Sequence, residues 1–230
     1  MRTNIGILKL LSLCAALLIA HQITAQEFIH PTDIVTKVKK TMKTVETYEA
    51  DFRIITKTKK KTKTTRGRAY YKKPGKIHFA FREPSGDKII SNGKTMWIYI
   101  HKLKAVGIQE LNSVNSKGVA SVATHRGIMS IFSRYHYNFD TTDQPRQFGS
   151  KSYFVLSLKE KVASGGFSTM KIYIGSKTNL IEKIEAENDH GKVVSLEFQN
   201  IRINTDLPGS LFYFKVEGNI KPVNNPLTID

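Results

Sequence analysis

The sequence predicts a mainly β fold of the α+β class, built on an antiparallel sheet of consecutive hairpins. Ile77, Phe79 and Phe81 alternate with polar or small residues, which is the period-two pattern of a strand with one buried face. Asn92-Gly93, placed between two apolar runs, is the strongest hairpin signal in the chain. Strands joined by such short turns pair antiparallel.

The charge of the chain is far from balanced. Its 230 residues suit one domain, and 36 Lys and Arg against 19 Asp and Glu give a formal net charge of +17. An excess of this size attracts polyanions, which include nucleic acid, anionic lipid headgroups and acidic proteins. Composition alone does not indicate which of these polyanions the protein binds.

The N-terminus predicts export. Arg2 and Lys9 precede an apolar run from Leu10 to Ala20, and Ala25 provides the small residue at a cleavage position. The run is too short to cross a bilayer. We therefore expect a signal peptide at residues 1–25, cleaved to leave one domain at residues 26–230. Cleavage removes two positive charges and no negative ones, so the net charge falls from +17 to +15.

Cys14 is the only cysteine, and it lies inside the predicted signal peptide. A lipidated cysteine is the alternative, but Leu13 is bulky where a lipidation motif has a small residue. Without Cys14 the mature chain has no thiol for a disulfide or a cysteine metal site, so its stability must come from an apolar core.

A helix is predicted from Pro31 to Tyr48, because apolar side chains recur there at the helical period. The apolar stripe consists of Ile34, Val35, Val38, Met42 and Val45. Thr32 or Asp33 is the expected N-cap. We expect the stripe to pack on the core; a helix that lies on a membrane surface is the alternative.

A basic hairpin is predicted next, from Ala50 to Tyr71. Lysine and threonine dominate between Lys57 and Arg66, a composition that suits an exposed sheet edge and discourages edge-to-edge association. The run lacks aromatic residues on which bases would stack, which disfavours nucleic-acid binding. We expect a solvated edge that also serves as a docking surface for an anionic partner or a membrane.

The rest of the chain is predicted to form strands around one helical stretch. The helix is expected within Lys117–Tyr135, and a polar loop is expected at Asn138–Gly149. The predicted strands are Lys104–Leu111, Ser152–Glu160, Thr169–Ile174, Leu180–Asn188, Lys192–Asn204 and Leu211–Val216, the last of which closes the sheet.

Signatures of catalysis are poor. His125 and His136 flank the helical stretch, and the mature histidines form neither HExxH nor another close ligand spacing with a carboxylate. A G-x-S-x-G motif is absent from the sequence. Glu182, Glu185 and Glu187 suit a solvent-facing strand as readily as a cleft. We therefore expect a protein without enzymatic activity, bound metal or cofactor.

Large apolar side chains are in excess on the predicted strands. The candidates for one concave face are Phe52, Phe79, Phe81, Trp97, Tyr99, Phe154, Leu156, Ile172, Leu196, Phe198, Phe212 and Phe214. Either they fill the core of a barrel, or they line a cavity for acyl chains, which a curved antiparallel sheet of this length can enclose.

An ordered series of short motifs runs through the same sheet. The series comprises Lys73-Pro74-Gly75, Phe79, Pro84, Ile90-Ser91-Asn92-Gly93, Trp97 and Tyr99, with Tyr48–Phe52 upstream and Leu211–Phe214 downstream. In this order it resembles the periplasmic outer-membrane lipoprotein carrier family, the LolA-like proteins, over nearly the whole mature chain.

The resemblance implies an incomplete antiparallel β-barrel with an N-terminal helix and a helical lid over an apolar cavity. The residues expected in the lid are Val119, Val122, Met129, Ile131 and Phe132; a simple crossover helix is the alternative. Lys73 takes the place of a basic residue, usually Arg, that holds the lid shut by hydrogen bonds to its backbone. Lysine keeps the charge but lacks the planar fork.

The function implied by the resemblance is carriage through the periplasm. The cavity would bind the acyl chains of lipoproteins, and the monomeric carrier would ferry them from the inner to the outer membrane. An inner-membrane ABC exporter would load it and an outer-membrane acceptor would unload it. A periplasmic regulator of the same fold that senses lipids or lipoproteins is one alternative, and an enzyme acting on a lipid or glycan is another.

Overall fold

The structure, a computed structural model, describes residues 28–111, 125–163 and 166–224. Within these ranges the chain forms one large sheet and two α-helices, α1 at Pro31–Thr44 and α2 at His125–Arg134. The strands are β1 Thr47–Lys57, β2 Thr62–Lys72, β3 Lys76–Glu83, β4 Lys88–Ser91, β5 Thr95–Ile100, β6 Ala105–Glu110, β7 Tyr135–Phe139, β8 Arg146–Phe148, β9 Lys151–Glu160, β10 Thr169–Gly175, β11 Ile181–Glu187, β12 Val193–Ile203 and β13 Lys221–Asn224. Short 3₁₀ helices lie at His101–Leu103 and Gly209–Phe212.

The sheet is open and is not a closed barrel, and the predicted mainly β fold is confirmed. Its described strands pair in the order β13-β6-β5-β4-β3-β2-β1-β12-β11-β10-β9-β7, and the short strand β8 also pairs with β9. The pairing starts at β13 and ends at β7, and these two edges are not joined. Neighbouring strands run antiparallel except for β13, which lies parallel to β6.

The predicted closing strand at Leu211–Val216 is wrong. This segment contains the second 3₁₀ helix and then irregular backbone. Phe212 and Phe214 are buried and Tyr213 is exposed, so the residues do alternate as in a strand. Their side chains pack on the sheet while their backbone pairs with no described strand. The edge position is taken by β13, where Pro222 is tolerated because an edge strand has unpaired groups in any case.

Helix α1 has the predicted apolar stripe but different ends. Its N-cap is His30 and not Thr32 or Asp33; the His30 N–H donates to Asp33 Oδ2 at 2.9 Å, one half of a capping box. The helix ends at Thr44, before the predicted Tyr48, because the chain from Thr47 onward pairs with β2 and β12. Ile34 and Val38 are fully buried, which confirms the stripe as a core-packing face.

The predicted hairpins are confirmed. Asn92 and Gly93 connect β4 to β5; the Asn92 side-chain oxygen accepts hydrogen bonds from two backbone N–H groups, and Gly93 has a φ of 93°. Lys57 pairs with Thr62 at the tip of the basic hairpin, whose residues are exposed. Its strands are not at a sheet edge as predicted, because β1 also pairs with β12 and β2 with β3. The predicted loop Asn138–Gly149 is wrong in part, since it contains the end of β7 and the whole of β8. Strand β8 is three residues long, too short to show an alternating pattern.

Residues that face each other across paired strands point to the same side of a sheet. Register therefore defines an inner face, which carries Phe52, Phe79, Leu156, Ile172 and Leu196, and an opposite outer face. Apolar side chains of the inner face form two clusters. The first, the helix-covered cluster, joins β9, β10 and β11 to residues of α1 and α2. The second is made by strands alone.

Candidate functional site

The second cluster on the inner face consists of strand residues only, and we call it the sheet-only cluster. Its buried members are Ala50, Phe52, Ala69, Tyr71, Ile77, Phe79, Met96, Leu196 and Phe198. They come from β1, β2, β3, β5 and β12, the strands on the N-terminal side of the sheet together with the strand that joins the two halves. Among the described residues, neither helix contributes a side chain to this cluster. Leu111, where the chain leaves β6, packs against it.

Phe52 lies at the centre of the sheet-only cluster. Its ring meets the rings of Phe79 and Phe81 edge-to-face, with centroids 5.2 Å apart in both pairs. Phe52 lies directly opposite Gly67 on β2, and a Cβ at Gly67 would come within 2.7 Å of the Phe52 ring and would also collide with the Ala80 carbonyl oxygen. Glycine at this position therefore lets the aromatic ring pack closely against β2.

Tyr48 lies at the junction of the two inner-face clusters and packs against both. Its ring meets Phe198 edge-to-face at 5.7 Å. The hydroxyl oxygen is buried, and within the described residues it has no hydrogen-bond partner. Burial is the main cause that raises the pKa of this hydroxyl well above its ordinary value of 10.0. A buried hydroxyl without a hydrogen-bond partner costs about 1–3 kcal/mol of stability. A ligand oxygen that accepts a hydrogen bond from Tyr48 would therefore be favoured.

The structure brings together only part of the predicted cavity set. Phe52, Phe79, Phe81, Leu196 and Phe198 meet in the sheet-only cluster. Phe154, Leu156 and Ile172 share the inner face but pack in the helix-covered cluster, against Val35, Met42 and other helical residues.

The remaining four predicted cavity residues do not lie on this face. Trp97 and Tyr99 point to the outer face, because their neighbours Met96 and Ile98 point to the inner one. Trp97 meets Tyr213 at 5.4 Å, and Tyr99 meets Phe214 at 5.1 Å. Phe212 is buried in the 3₁₀ helix, which packs on β3.

The prediction for Trp97 and Tyr99 is wrong because both sides of β5 are apolar, so the alternation of residues does not show which side faces the cavity. Sequence reasoning also missed Ala50, Tyr71, Ile89, Met96 and Ile98, which the structure places in or against the sheet-only cluster. The hairpin register around Asn92-Gly93 contains the missing information. It sets Ile89 opposite Ile98 and Ser91 opposite Met96, and so assigns each residue to a face.

The helical lid is not shown by the structure. Val119, Val122 and the side chain of Met129 lie outside the described residues. Ile131 and Phe132 are buried in the helix-covered cluster together with α1, the packing that a crossover helix has.

Lys73, the expected latch, lies in the turn between β2 and β3. Its Nζ donates to the carbonyl oxygen of Lys43 at 2.6 Å and to Glu46 Oε1 at 2.8 Å. Lys43 is in the last turn of α1, whose carbonyls have no partners within the helix. In the described residues Lys73 thus ties the turn to the end of α1, and not to α2.

A groove of about 680 Å³ lies elsewhere, across β7, β9, β10, β11 and the start of β12. Its lining mixes Lys159, Lys171, Glu185 and Glu187 with apolar residues, which does not suit an acyl chain. No group of three or more His, Cys, Asp or Glu in the described ranges is placed to hold a metal ion. In the same ranges, neither helix has the length and apolar character that a membrane span needs.

Comparison with known proteins agrees with this architecture. Residues 43–215 match the profile of the outer membrane lipoprotein carrier protein LolA. The outer-membrane lipoprotein carrier protein of Legionella pneumophila strain Corby is 27% identical over 172 residues, which are 74% of this chain and 80% of that protein. The carrier protein of Albidiferax ferrireducens is 25% identical over 183 residues, covering 76% and 83%.

A solved structure of an uncharacterized conserved protein from Thermus thermophilus superposes with a TM-score of 0.56 at 12% identity. The superposition covers 84% of this chain and 98% of that one, and it shows a shared fold. The profile match extends from the end of α1 through every strand except the edge strand β13. The chain belongs to the LolA family of outer membrane lipoprotein carrier proteins.

Proposed function

We propose that this protein is a periplasmic carrier that binds the acyl chains of lipoproteins against the sheet-only cluster and ferries them from the inner to the outer membrane. Family membership supports the class of function. The observation that carries the proposal is a cluster of apolar side chains on one face of an open sheet, to which no described helix contributes. Its central members are buried, while Ile54, Phe81, Ile89 and Ile98 at its margin are only partly buried, so an acyl chain would meet apolar side chains there.

The proposed binding residues are Phe52, Phe79, Phe81, Leu196 and Phe198 from the predicted set, together with Met96 and Ile98. The aromatic rings supply a large apolar area at a small loss of side-chain freedom. Tyr48 provides the one buried hydroxyl at the junction of the clusters. We assign it as a donor to an ester or amide carbonyl at the head of the acyl chain.

The energetics of extraction support a carrier loaded by another protein. Burying an acyl chain gains about 0.8 kcal/mol per methylene relative to water, but a chain in a membrane is already buried. Moving it into a protein is therefore close to neutral, and the driving force must come from elsewhere. An inner-membrane ABC exporter that loads a monomeric carrier, and an outer-membrane acceptor that unloads it, are included in the proposal.

Export is also part of the proposal. Residues 1–25 act as a signal peptide, and residues 26–230 form the carrier domain in the periplasm. We retain Val119, Val122 and Met129 as residues of the proposed lid.

A pair of neighbouring residues on β5 tests the binding site. Ile98 is half-buried on the inner face, and Tyr99 is half-buried on the outer face. We expect Ile98→Gln to weaken the binding of a fluorescent fatty acid by about tenfold, since a polar group in an apolar site costs about 1–3 kcal/mol. Tyr99→Gln, the matched control, should bind normally. Equal affinities of the two variants and the parent chain would contradict the site.

A second measurement separates carriage from sensing. Vesicles that contain a triacylated lipoprotein are incubated with the protein, and lipoprotein is then measured in acceptor vesicles in the presence of the exporter. Transfer that Ile98→Gln abolishes is the expected result. Fatty-acid binding without any transfer would favour the alternative of a lipid-sensing regulator, and turnover of a labelled lipid would favour an enzyme.

A further inference from the structure

One end of the sheet carries a row of exposed lysines. Lys57, Lys59, Lys60, Lys61 and Lys63 lie at the tip of the hairpin between β1 and β2, and all are exposed. Within the described residues none of them has a carboxylate within ion-pair distance. These charges are therefore fully available to a partner.

Register places four more turns at the same end of the sheet. Lys57 pairs with Val193, so the turn between β11 and β12 lies beside the lysine tip. Thr169 pairs with both Lys159 and Glu187, which brings the turn between β9 and β10 to this end as well. On the other side of the tip, pairing of β2 with β3, of β3 with β4 and of β4 with β5 brings the turn between β3 and β4 and the turn between β5 and β6 to this end. We call this row of turns the lysine rim.

The lysine rim also exposes apolar side chains at its tips. Leu103 is 69% exposed in the 3₁₀ helix between β5 and β6, with exposed Lys102 and Lys104 on either side. Val162 is 78% exposed between β9 and β10, next to Lys161. Each of these two turns thus presents a single apolar side chain beside at least one ammonium group.

Six arginines of the described chain are used differently. Arg53, Arg66, Arg68, Arg82, Arg146 and Arg202 each lie within 4 Å of a carboxylate on the sheet. The cations of the rim tips are lysines, which act as mobile point charges without the bidentate geometry of arginine. Acidic residues are present on the rim too, at Glu83, Asp87, Glu160, Glu187 and Asp189, but the lysines outnumber them.

We propose that the lysine rim docks this protein on an anionic membrane surface, with Leu103 and Val162 entering the headgroup region. Lysines near a surface of anionic lipid are attracted to phosphate groups, and single apolar side chains gain by entering the boundary between headgroups and acyl chains. Acidic proteins would use the charge, but separate apolar tips on different turns fit a lipid surface better than a folded partner. This surface does not depend on the acyl site, which lies on the inner face.

Co-sedimentation with vesicles tests the proposal. The full chain, with its N-terminus identified by mass spectrometry, is mixed with vesicles of phosphatidylcholine alone or with about 30% phosphatidylglycerol. All variants share that N-terminus, so its own contribution to binding cancels. We expect binding to anionic vesicles that weakens as salt rises, because the Debye length shortens.

Three matched variants locate the surface. Lys59→Gln, Lys60→Gln and Lys61→Gln together should weaken partitioning to anionic vesicles about a hundredfold, since each lysine near the surface contributes roughly fivefold. The control removes three exposed lysines away from the rim, with Lys43→Gln, Lys94→Gln and Lys177→Gln, and should have a much smaller effect. Leu103→Ser with Val162→Ser should weaken binding about tenfold at constant charge.

Several outcomes would overturn the proposal. Absence of binding to anionic vesicles would do so, and so would equal losses in the rim and control lysine variants. A loss with the lysine variant but none with the Leu103 and Val162 variant would overturn the insertion of these two side chains into the headgroup region. Ile98→Gln should bind vesicles normally, so a failure of the acyl site and a failure of the rim give different results.

Discussion

Gly67 shows how one residue shapes the proposed site. The Phe52 ring occupies the space above Gly67 that a side chain would fill, and the neighbouring backbone carbonyl of Ala80 closes the other side. Its backbone conformation is an ordinary extended one, so the requirement for glycine comes from space alone. The apolar face of β1 to β3 depends on this close approach.

We expect Gly67→Ala to lower the free energy of unfolding by about 1–3 kcal/mol, because the added methyl group collides with backbone as well as with Phe52. Urea unfolding followed by tryptophan fluorescence measures the change. Gly218→Ala is the control, since a Cβ at Gly218 meets no atom within 4 Å. An unfolding free energy equal to that of the parent chain would contradict this expectation, because it would mean that the Phe52 ring and the neighbouring backbone move easily to admit the methyl group.

His78 is a buried imidazole on the outer face, next to Tyr70 and beneath the second 3₁₀ helix. Burial, with the nearby Lys88 as a smaller cause, lowers the pKa of His78 to about 4, although the Leu211 backbone opposes this in part. The unfolded chain takes up this proton near pH 6.5 and the folded protein only near pH 4. Neutral His78 therefore makes its full contribution to the free energy of unfolding above pH 6.5, and this contribution is lost as the pH falls toward 4.

Replacing His78 with leucine tests this pH dependence. For the parent chain we expect the free energy of unfolding to fall by about 2 kcal/mol between about pH 7 and pH 5 because of this residue. His78→Leu should flatten that part of the profile, while His190→Gln, in an exposed turn, should leave it unchanged. Identical profiles for the parent and His78→Leu would mean that His78 titrates in the folded protein at its ordinary pKa.

At the scale of elements, α1 is fixed at both ends by polar groups outside its apolar stripe. Asp33 caps its beginning, and Lys73 from the turn between β2 and β3 donates a hydrogen bond to the Lys43 carbonyl oxygen in its last turn. Asn204, at the end of β12, accepts a hydrogen bond with its side-chain oxygen from the Glu46 N–H at 2.8 Å. Helix α1 is thereby attached to both neighbours of β1 in the sheet.

Lys73→Leu is expected to loosen this attachment. The loss of two charge-assisted hydrogen bonds should lower the free energy of unfolding by about 1 kcal/mol, because the side chain is partly exposed. Hydrogen exchange in the last turn of α1 should become faster. Lys76→Leu, also half-buried but without a described partner, is the control.

The same variant tests the latch that the family resemblance implies. If Lys73→Leu changes the release of cargo while the exchange rates of α1 stay constant, the residue acts on the lid and not on the helix. If the exchange rates rise and the release of cargo is unaffected, the role of Lys73 is structural.

At the scale of the whole molecule, two helices cover only one half of the inner face. Helices α1 and α2 pack on each other and on β7, and they bury the apolar side chains of β9, β10 and β11. The apolar side chains of β1, β2, β3 and β5 pack with one another and with β12, without described helical cover. The acyl-binding test addresses whether this second half of the inner face binds a ligand.

Sequence patterns alone predicted most of the local structure. The alternation in Ile77–Phe81, the Asn92-Gly93 turn and the helical stripe of α1 all depend on residues near one another in the chain. The basic hairpin was predicted for the same reason, but its assignment to a sheet edge is wrong, because strand order depends on pairing with distant segments. The local features are confirmed because short-range periodicity and turn chemistry act before distant segments meet.

Only the tertiary structure decided which predicted residues share a face and how the sheet ends. Trp97 and Met96 are both large and apolar, and pairing with β4 determines that one points outward and the other inward. Leu211–Val216 has the alternation of a strand, yet its burial comes from packing across the outer face. Register and packing depend on contacts between distant residues, and a linear pattern with apolar residues on both sides does not record them.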